Sequence, residues 1–111
     1  MSFIVELSLD DYAFEVDAGE GFVLVSFYGK NCAPCRELFP IIEILADEYK
    51  GKMKFCRINV NDNNNMEIAK ELKVMGLPTV IIYHHGEIVY RETGFQNKIS
   101  FDKLFKELYI V

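Results

Sequence analysis

The stretch Phe22-Val23-Leu24-Val25-Ser26-Phe27-Tyr28-Gly29-Lys30-Asn31-Cys32-Ala33-Pro34-Cys35 decides how the chain reads. Its first seven residues are aliphatic, β-branched or aromatic with a single serine among them. A run of that kind, without polar alternation, predicts a strand covered on both faces. Beyond the cysteines, Leu38, Ile41, Ile42, Leu45, Ala46 and Tyr49 recur at helical spacing. They predict a helix from about Ala33 to Tyr49 with one buried stripe. Lys50-Gly51-Lys52 ends it, with cations and a glycine where the helix dipole and the C-terminal cap favour them. A buried strand running directly into a long helix is the repeating unit of an α/β fold.

Working outward, the same alternation continues. Ile4 to Leu7 reads as a short strand. Asp10 or Asp11 can cap a short helix to about Val16, closed by Gly19 and Gly21. Met53 to Val60 is a second buried strand, and Met66 to Val74 a helix with Ile68, Ala69 and Leu72 inward. Between them, Asn61-Asp62-Asn63-Asn64-Asn65 reads as a loop that caps that helix through Asn and Asp side chains. Thr79 to Tyr83 is a strand, His84-His85-Gly86-Glu87 a solvated turn, and Ile88 to Glu92 the returning strand of a hairpin. Ser100 can cap a last helix with Phe101, Leu104, Phe105 and Leu108 inward. The order βαβαβαββα predicts parallel strands joined through helices, with the final hairpin adding an antiparallel edge.

Composition narrows the function. With 111 residues the chain suits one domain, read as 1–111, and leaves no room for two. Twelve Lys and Arg against seventeen Asp and Glu give a net charge of −5, which argues against a general nucleic-acid binder. Half the residues are apolar, which excludes disorder. The start, Met1 to Leu7, lacks a basic and then apolar leader pattern. The longest apolar runs are far shorter than the roughly 20 residues that span a bilayer. A soluble cytoplasmic protein is the expectation, with no membrane and no nucleic-acid partner. Three cysteines are too few, and odd in number, for a stapled miniprotein. In a reducing compartment a close cysteine pair is catalytic or metal-binding rather than structural.

Cys32-Ala33-Pro34-Cys35 is that pair. Two intervening residues in a first helical turn bring the sulfurs within disulfide reach. The helix N-terminus, with its unpaired N–H groups and dipole, favours a thiolate at Cys32, and the thiolate is the nucleophile. Pro34 lacks an N–H and has φ preset for an early helical position, which stiffens the turn. Cys32 would attack a substrate disulfide, and Cys35 would resolve the mixed disulfide. Two other readings stay open: a chance pair of unreactive cysteines, and a zinc site. Structural zinc takes four ligands, and only Cys56, His84 and His85 could add to the pair. Cys56 itself shares a strand face with Ile58 and Val60 and reads as a buried thiol.

These residues, with Val25 to Tyr28, Arg36, Pro40, Gly76-Leu77-Pro78-Thr79, Gly86-Glu87 and Gly94, resemble the thioredoxin family over nearly the whole chain. The resemblance implies a mixed central sheet with helices on both faces, and reduction of protein disulfides with electrons from a thioredoxin-reductase-type donor. It implies no cofactor beyond a redox-active Cys32–Cys35 disulfide, no metal, and a monomer. It further implies that Pro78 follows a cis peptide bond and, with Gly76 and Leu77, forms a substrate-facing loop. Pro40 matches a proline in the family's long helix.

Departures from the family pattern stand out around the cysteines. The buried Asp that the family places in the strand before them is Ser26, which can hold a water but is no base near neutral pH. The Trp before the first cysteine is Asn31, the earlier aromatic position is Tyr28, and the Gly between the cysteines is Ala33. The buried Lys of the next strand is Arg57, which keeps its charge but cannot give up a proton. Slow resolution of the mixed disulfide is expected from Ser26. A thioredoxin-fold module that holds a partner with little redox turnover is the alternative reading.

Overall fold

In the computed structural model, which describes residues 3–110, the run Phe22–Tyr28 forms a strand in which every residue from Val23 to Phe27 is buried. The elements run β1 (Ile4–Leu7), α1 (Leu9–Tyr12) widening into a π-helical turn (Ala13–Asp17), β2 (Phe22–Tyr28), α2 (Ala33–Glu48), β3 (Lys54–Asn59), α3 (Met66–Glu71), β4 (Thr79–His84), β5 (Glu87–Thr93) and α4 (Lys98–Glu107). The five strands lie in the order β1-β3-β2-β4-β5. The β1–β3 and β2–β3 pairs are parallel, while β2–β4 and β4–β5 are antiparallel. The ends of the expected span, Met1, Ser2 and Val111, lie outside the described residues.

Strand pleating explains the two cores. Val23, Val25 and Phe27 join Tyr12, Val16, Cys56, Ile58, Ile68, Ala69, Ile81 and Tyr83 on the face covered by α1, its π-turn and α3. Leu24 joins Leu38, Ile42, Leu45, Phe55, Val80, Ile82, Phe101 and Phe105 on the face covered by α2 and α4. Each such large side chain contributes roughly 1.5–3 kcal/mol by leaving water. Helices therefore flank both faces of a mixed sheet, as expected.

Several local expectations are corrected. Ser8, not Asp10 or Asp11, caps α1; the Asp11 carboxylate accepts hydrogen bonds from the Ser8 backbone N–H and Oγ. The helix α3 stops at Glu71, short of Val74, because Lys73 turns to positive φ and Arg91 donates to the carbonyls of Leu72 and Lys73. Asn65 does not cap α3 with its side chain; it is buried and tethers two segments, accepting from Leu9 N–H and donating to Asn59 C=O. His84 belongs to β4, stacked on Phe22 at 4.0 Å, and the turn is His85-Gly86 alone. Both turn residues have positive φ, as a two-residue hairpin demands, and a side chain at Gly86 would strike the Asp17 backbone. Asn97, not Ser100, caps α4 and accepts from Ser100 N–H.

Candidate active site

The expected pair is joined. Cys32 and Cys35 form a disulfide, with Cα atoms 5.3 Å apart. Asn31, in the left-handed region that Asn tolerates, turns the chain so that Cys32 becomes the N-cap of α2. The Cys32 sulfur accepts a hydrogen bond from Cys35 N–H at 3.3 Å. Ala33 and Pro34 are exposed in the first turn, Cys32 is half-buried, and Cys35 lies beneath at 7% exposure. One sulfur is thus reachable and the other screened. A helix N-terminus and a backbone donor both favour negative charge on Cys32 once the disulfide opens.

The loop Gly76-Leu77-Pro78 sits at the same end of the sheet, because Thr79 pairs with Phe27 just before the chain leaves for the cysteines. The Leu77–Pro78 bond is cis. Thr79 Oγ1 lies 2.6 Å from the Gly76 carbonyl and 2.9 Å from Thr93 Oγ1, and Gly94 N–H donates to the Pro78 carbonyl. At Gly76 a Cβ would come within 3.0 Å of the Thr93 methyl, so glycine here keeps the loop packed on β5. The Leu77 side chain closes on Gly29, where a Cβ would crowd Asn61 Oδ1 and Leu77 Cδ1. Asn61 Oδ1 accepts from Lys30 N–H, which fixes the path into Asn31 and Cys32.

Behind Cys35 a cavity of about 340 Å³ opens to solvent. It brings Ser26 and Arg57 together with Cys35, whereas Cys32, Ala33, Pro34 and the 76–78 loop do not line it. Register explains the grouping. Ser26 is opposite Arg57, and Arg57 is opposite Glu6, so the three form a row across β2, β3 and β1 on the α2 face. The Arg57 guanidinium lies 4.2 Å from the Phe39 ring centre and 4.7 Å from that of Tyr28, and its Nε donates to Glu6 at 2.6 Å. The Tyr28 hydroxyl donates to the same carboxylate, and burial together with that bond pushes the phenol up to about 12. Glu6, Phe39 and Asn61 escaped sequence reasoning; only the strand register and the fold of α2 over β3 bring them here.

Cys56 is fully buried, and burial pushes its thiol up to about 11, as a core cysteine should behave. Among the described residues no group of three or more His, Cys, Asp or Glu could hold a metal ion. Nor is any helix among them long and apolar enough to cross a membrane.

A family model for thioredoxin matches residues 3–107. The chain belongs to the thioredoxin family. It is 36% identical to a thioredoxin of Peptoclostridium acidaminophilum over 92 residues, covering 83% of this chain and 82% of the relative. A thioredoxin of Bacillus subtilis (strain 168) is 34% identical over 94 residues, 85% and 88% of the two chains. One of Buchnera aphidicola subsp. Schizaphis graminum (strain Sg) is 32% identical over 107 residues, 96% and 97% of the two chains. With this membership, the thioredoxin fold and the Cys32–Cys35 pair, the protein is a thioredoxin-type thiol–disulfide oxidoreductase.

Proposed function

We propose that this thioredoxin-family member reduces disulfides in other proteins, with Cys32 as nucleophile and Cys35 as resolving thiol. The carrying observation is the asymmetry of the pair: Cys32 is half-exposed at the N-cap of α2 and accepts from Cys35 N–H, while Cys35 is buried. The Cys32 thiolate attacks a substrate disulfide, forming a mixed disulfide and expelling one substrate thiolate. Cys35 then attacks Cys32 Sγ, closing the Cys32–Cys35 disulfide and releasing the second substrate thiol. A reductase of the thioredoxin-reductase type returns two electrons and two protons.

The loop of Gly76, Leu77 and Pro78 receives the substrate chain, and Ala33 and Pro34 shape the rim. Ser26 and Arg57 support Cys35 from below. The working unit is the single domain 1–111, acting as a monomer in the cytoplasm, with the dithiol as its only redox group. The test is reduction of insulin by dithiothreitol with and without the protein. Cys32→Ser should abolish the acceleration, and Cys35→Ser should accumulate a mixed disulfide through Cys32. Turnover that survives Cys32→Ser refutes the assignment.

A further inference from the structure

The cavity behind Cys35 has a wall chemistry at odds with the rest of the chain. Three cations, Lys30, Arg36 and Arg57, line it, and no Asp or Glu does, in a protein of net charge −5. Its volume of about 340 Å³ lies within the range of small-molecule pockets. Ser26 supplies a hydroxyl, while Phe39, Pro40 and Ile42 supply apolar wall that weakens competition from water. Arg57 is preorganised: two aromatic rings flank its guanidinium, and Glu6 takes its Nε–H. Among the described residues neither Nη of Arg57 has an acceptor, so the two-pronged edge that pairs with carboxylates is free.

We propose that this cavity binds a small monocarboxylate anion, held by Arg57 and Ser26, which serves as the proton acceptor for Cys35. The inference rests on the assignment of Cys35 as resolving thiol. The bound carboxylate takes the proton of the Cys35 thiol and becomes a carboxylic acid. The Cys35 thiolate attacks Cys32 Sγ, forming the Cys32–Cys35 bond and breaking the bond from Cys32 to substrate sulfur. The substrate leaves as a thiolate and recovers a proton from the carboxylic acid or solvent. No oxidant or reductant beyond the mixed disulfide is needed. The site thus takes from solution the base that Ser26 cannot provide.

Acetate is the probe, titrated against chloride at constant ionic strength in two measurements. In the oxidised protein, amide shifts at Ser26, Cys35 and Arg57 should move and saturate. In single-turnover release of substrate thiol from the Cys32 mixed disulfide, the rate should rise at least about threefold and saturate at a similar concentration. Arg57→Met should abolish both responses. Ser26→Asp, which carries its own carboxylate, should be faster without acetate and insensitive to it. Shifts that fail to saturate, an equal response to chloride, or a Ser26→Asp variant that still responds to acetate would each overturn the proposal. The shift titration needs no turnover, so it fails or succeeds independently of the roles assigned to Cys32 and Cys35. A Cys35→Ser variant that traps no mixed disulfide would instead overturn those roles.

Discussion

Replacing Ser26 by Asp sets two effects against each other, a gain in rate and a loss of stability. Ser26 is 7% exposed, opens on the cavity beside Cys35, and faces Arg57 in register. A well-placed general base is worth about 10²–10⁴-fold. Arg57 stabilises the charged carboxylate and makes it a weaker base, so roughly a tenfold gain in the resolution rate near neutral pH is expected. Stability moves the other way. Burial disfavours the charged form and raises the carboxyl pKa, while Arg57 offsets part of that rise. A net rise of one unit costs about 1.4 kcal/mol once the group is ionised. By linkage, a carboxyl with its folded pKa above its unfolded value binds more protons when folded. The deficit is therefore absent below about pH 3.9, grows as pH climbs to the folded pKa, and stays constant above it. Stopped-flow release of thiol from a preformed Cys32 mixed disulfide, followed from pH 5 to 9, gives the rate. Urea unfolding at pH 3.5 and 7 gives the cost. Ser26→Asn controls for shape without a base and should gain nothing in rate. A folded Ser26→Asp protein with an unchanged rate across that range refutes the view that a missing base limits the step.

The buried hydroxyls of Tyr12 and Tyr83 meet at 2.6 Å, so Tyr83→Phe strands the Tyr12 hydroxyl and should cost about 1–3 kcal/mol in urea unfolding, and removing both hydroxyls should recover part of it. In the reduced native protein, a charged disulfide reagent should modify Cys32 quickly and Cys56 only on unfolding; three fast thiols would contradict the burial of Cys56. The Lys98 ammonium, ahead of the Tyr49 hydroxyl, holds the Asp102 carboxyl below its ordinary range. Asp102 therefore adds stability above its unfolded pKa that is lost as pH falls through its folded value, and Asp102→Asn should cost under about 1 kcal/mol at pH 7 and nothing at pH 2.

How much of this could be read in advance depended on how local the cause was. Strand β2 and helix α2 were legible because burial on both faces, and one apolar stripe, write themselves directly into composition and spacing. The caps were not. Ser8, Asp10 and Asp11 are all competent N-caps, as are Asn97 and Ser100, and only the geometry with which each helix leaves the sheet selects the upstream one. Asn65 misleads for a related reason. A polar run reads as solvent-facing, yet this side chain is 2% exposed and satisfies a backbone N–H 56 residues away. Likewise, His84 looks like half of a turn until Phe22 is seen to cover its ring.

The two cysteines divide along the same line. What favours charge on Cys32 is contained in one helical turn: an N-cap position and a donor three residues on. A sequence displays that in four letters. The cavity beside Cys35 draws on two strands and a helix: Ser26 and Arg57 face each other in parallel register, Phe39 is laid over Arg57 by α2, and Glu6 ends the row outside the cavity. Because β1 and β2 both pair with β3 rather than with each other, Glu6 reaches the β2 side through two side chains, Arg57 and Tyr28. Arg57 and Tyr28 together couple a surface carboxylate to the cavity beside Cys35. Loss of Glu6 frees the guanidinium to swing on Phe39 and Tyr28, so Glu6→Gln should alter the pH profile of resolution more than the initial attack by Cys32. An equal change in both steps would mean that β1 merely supports the sheet.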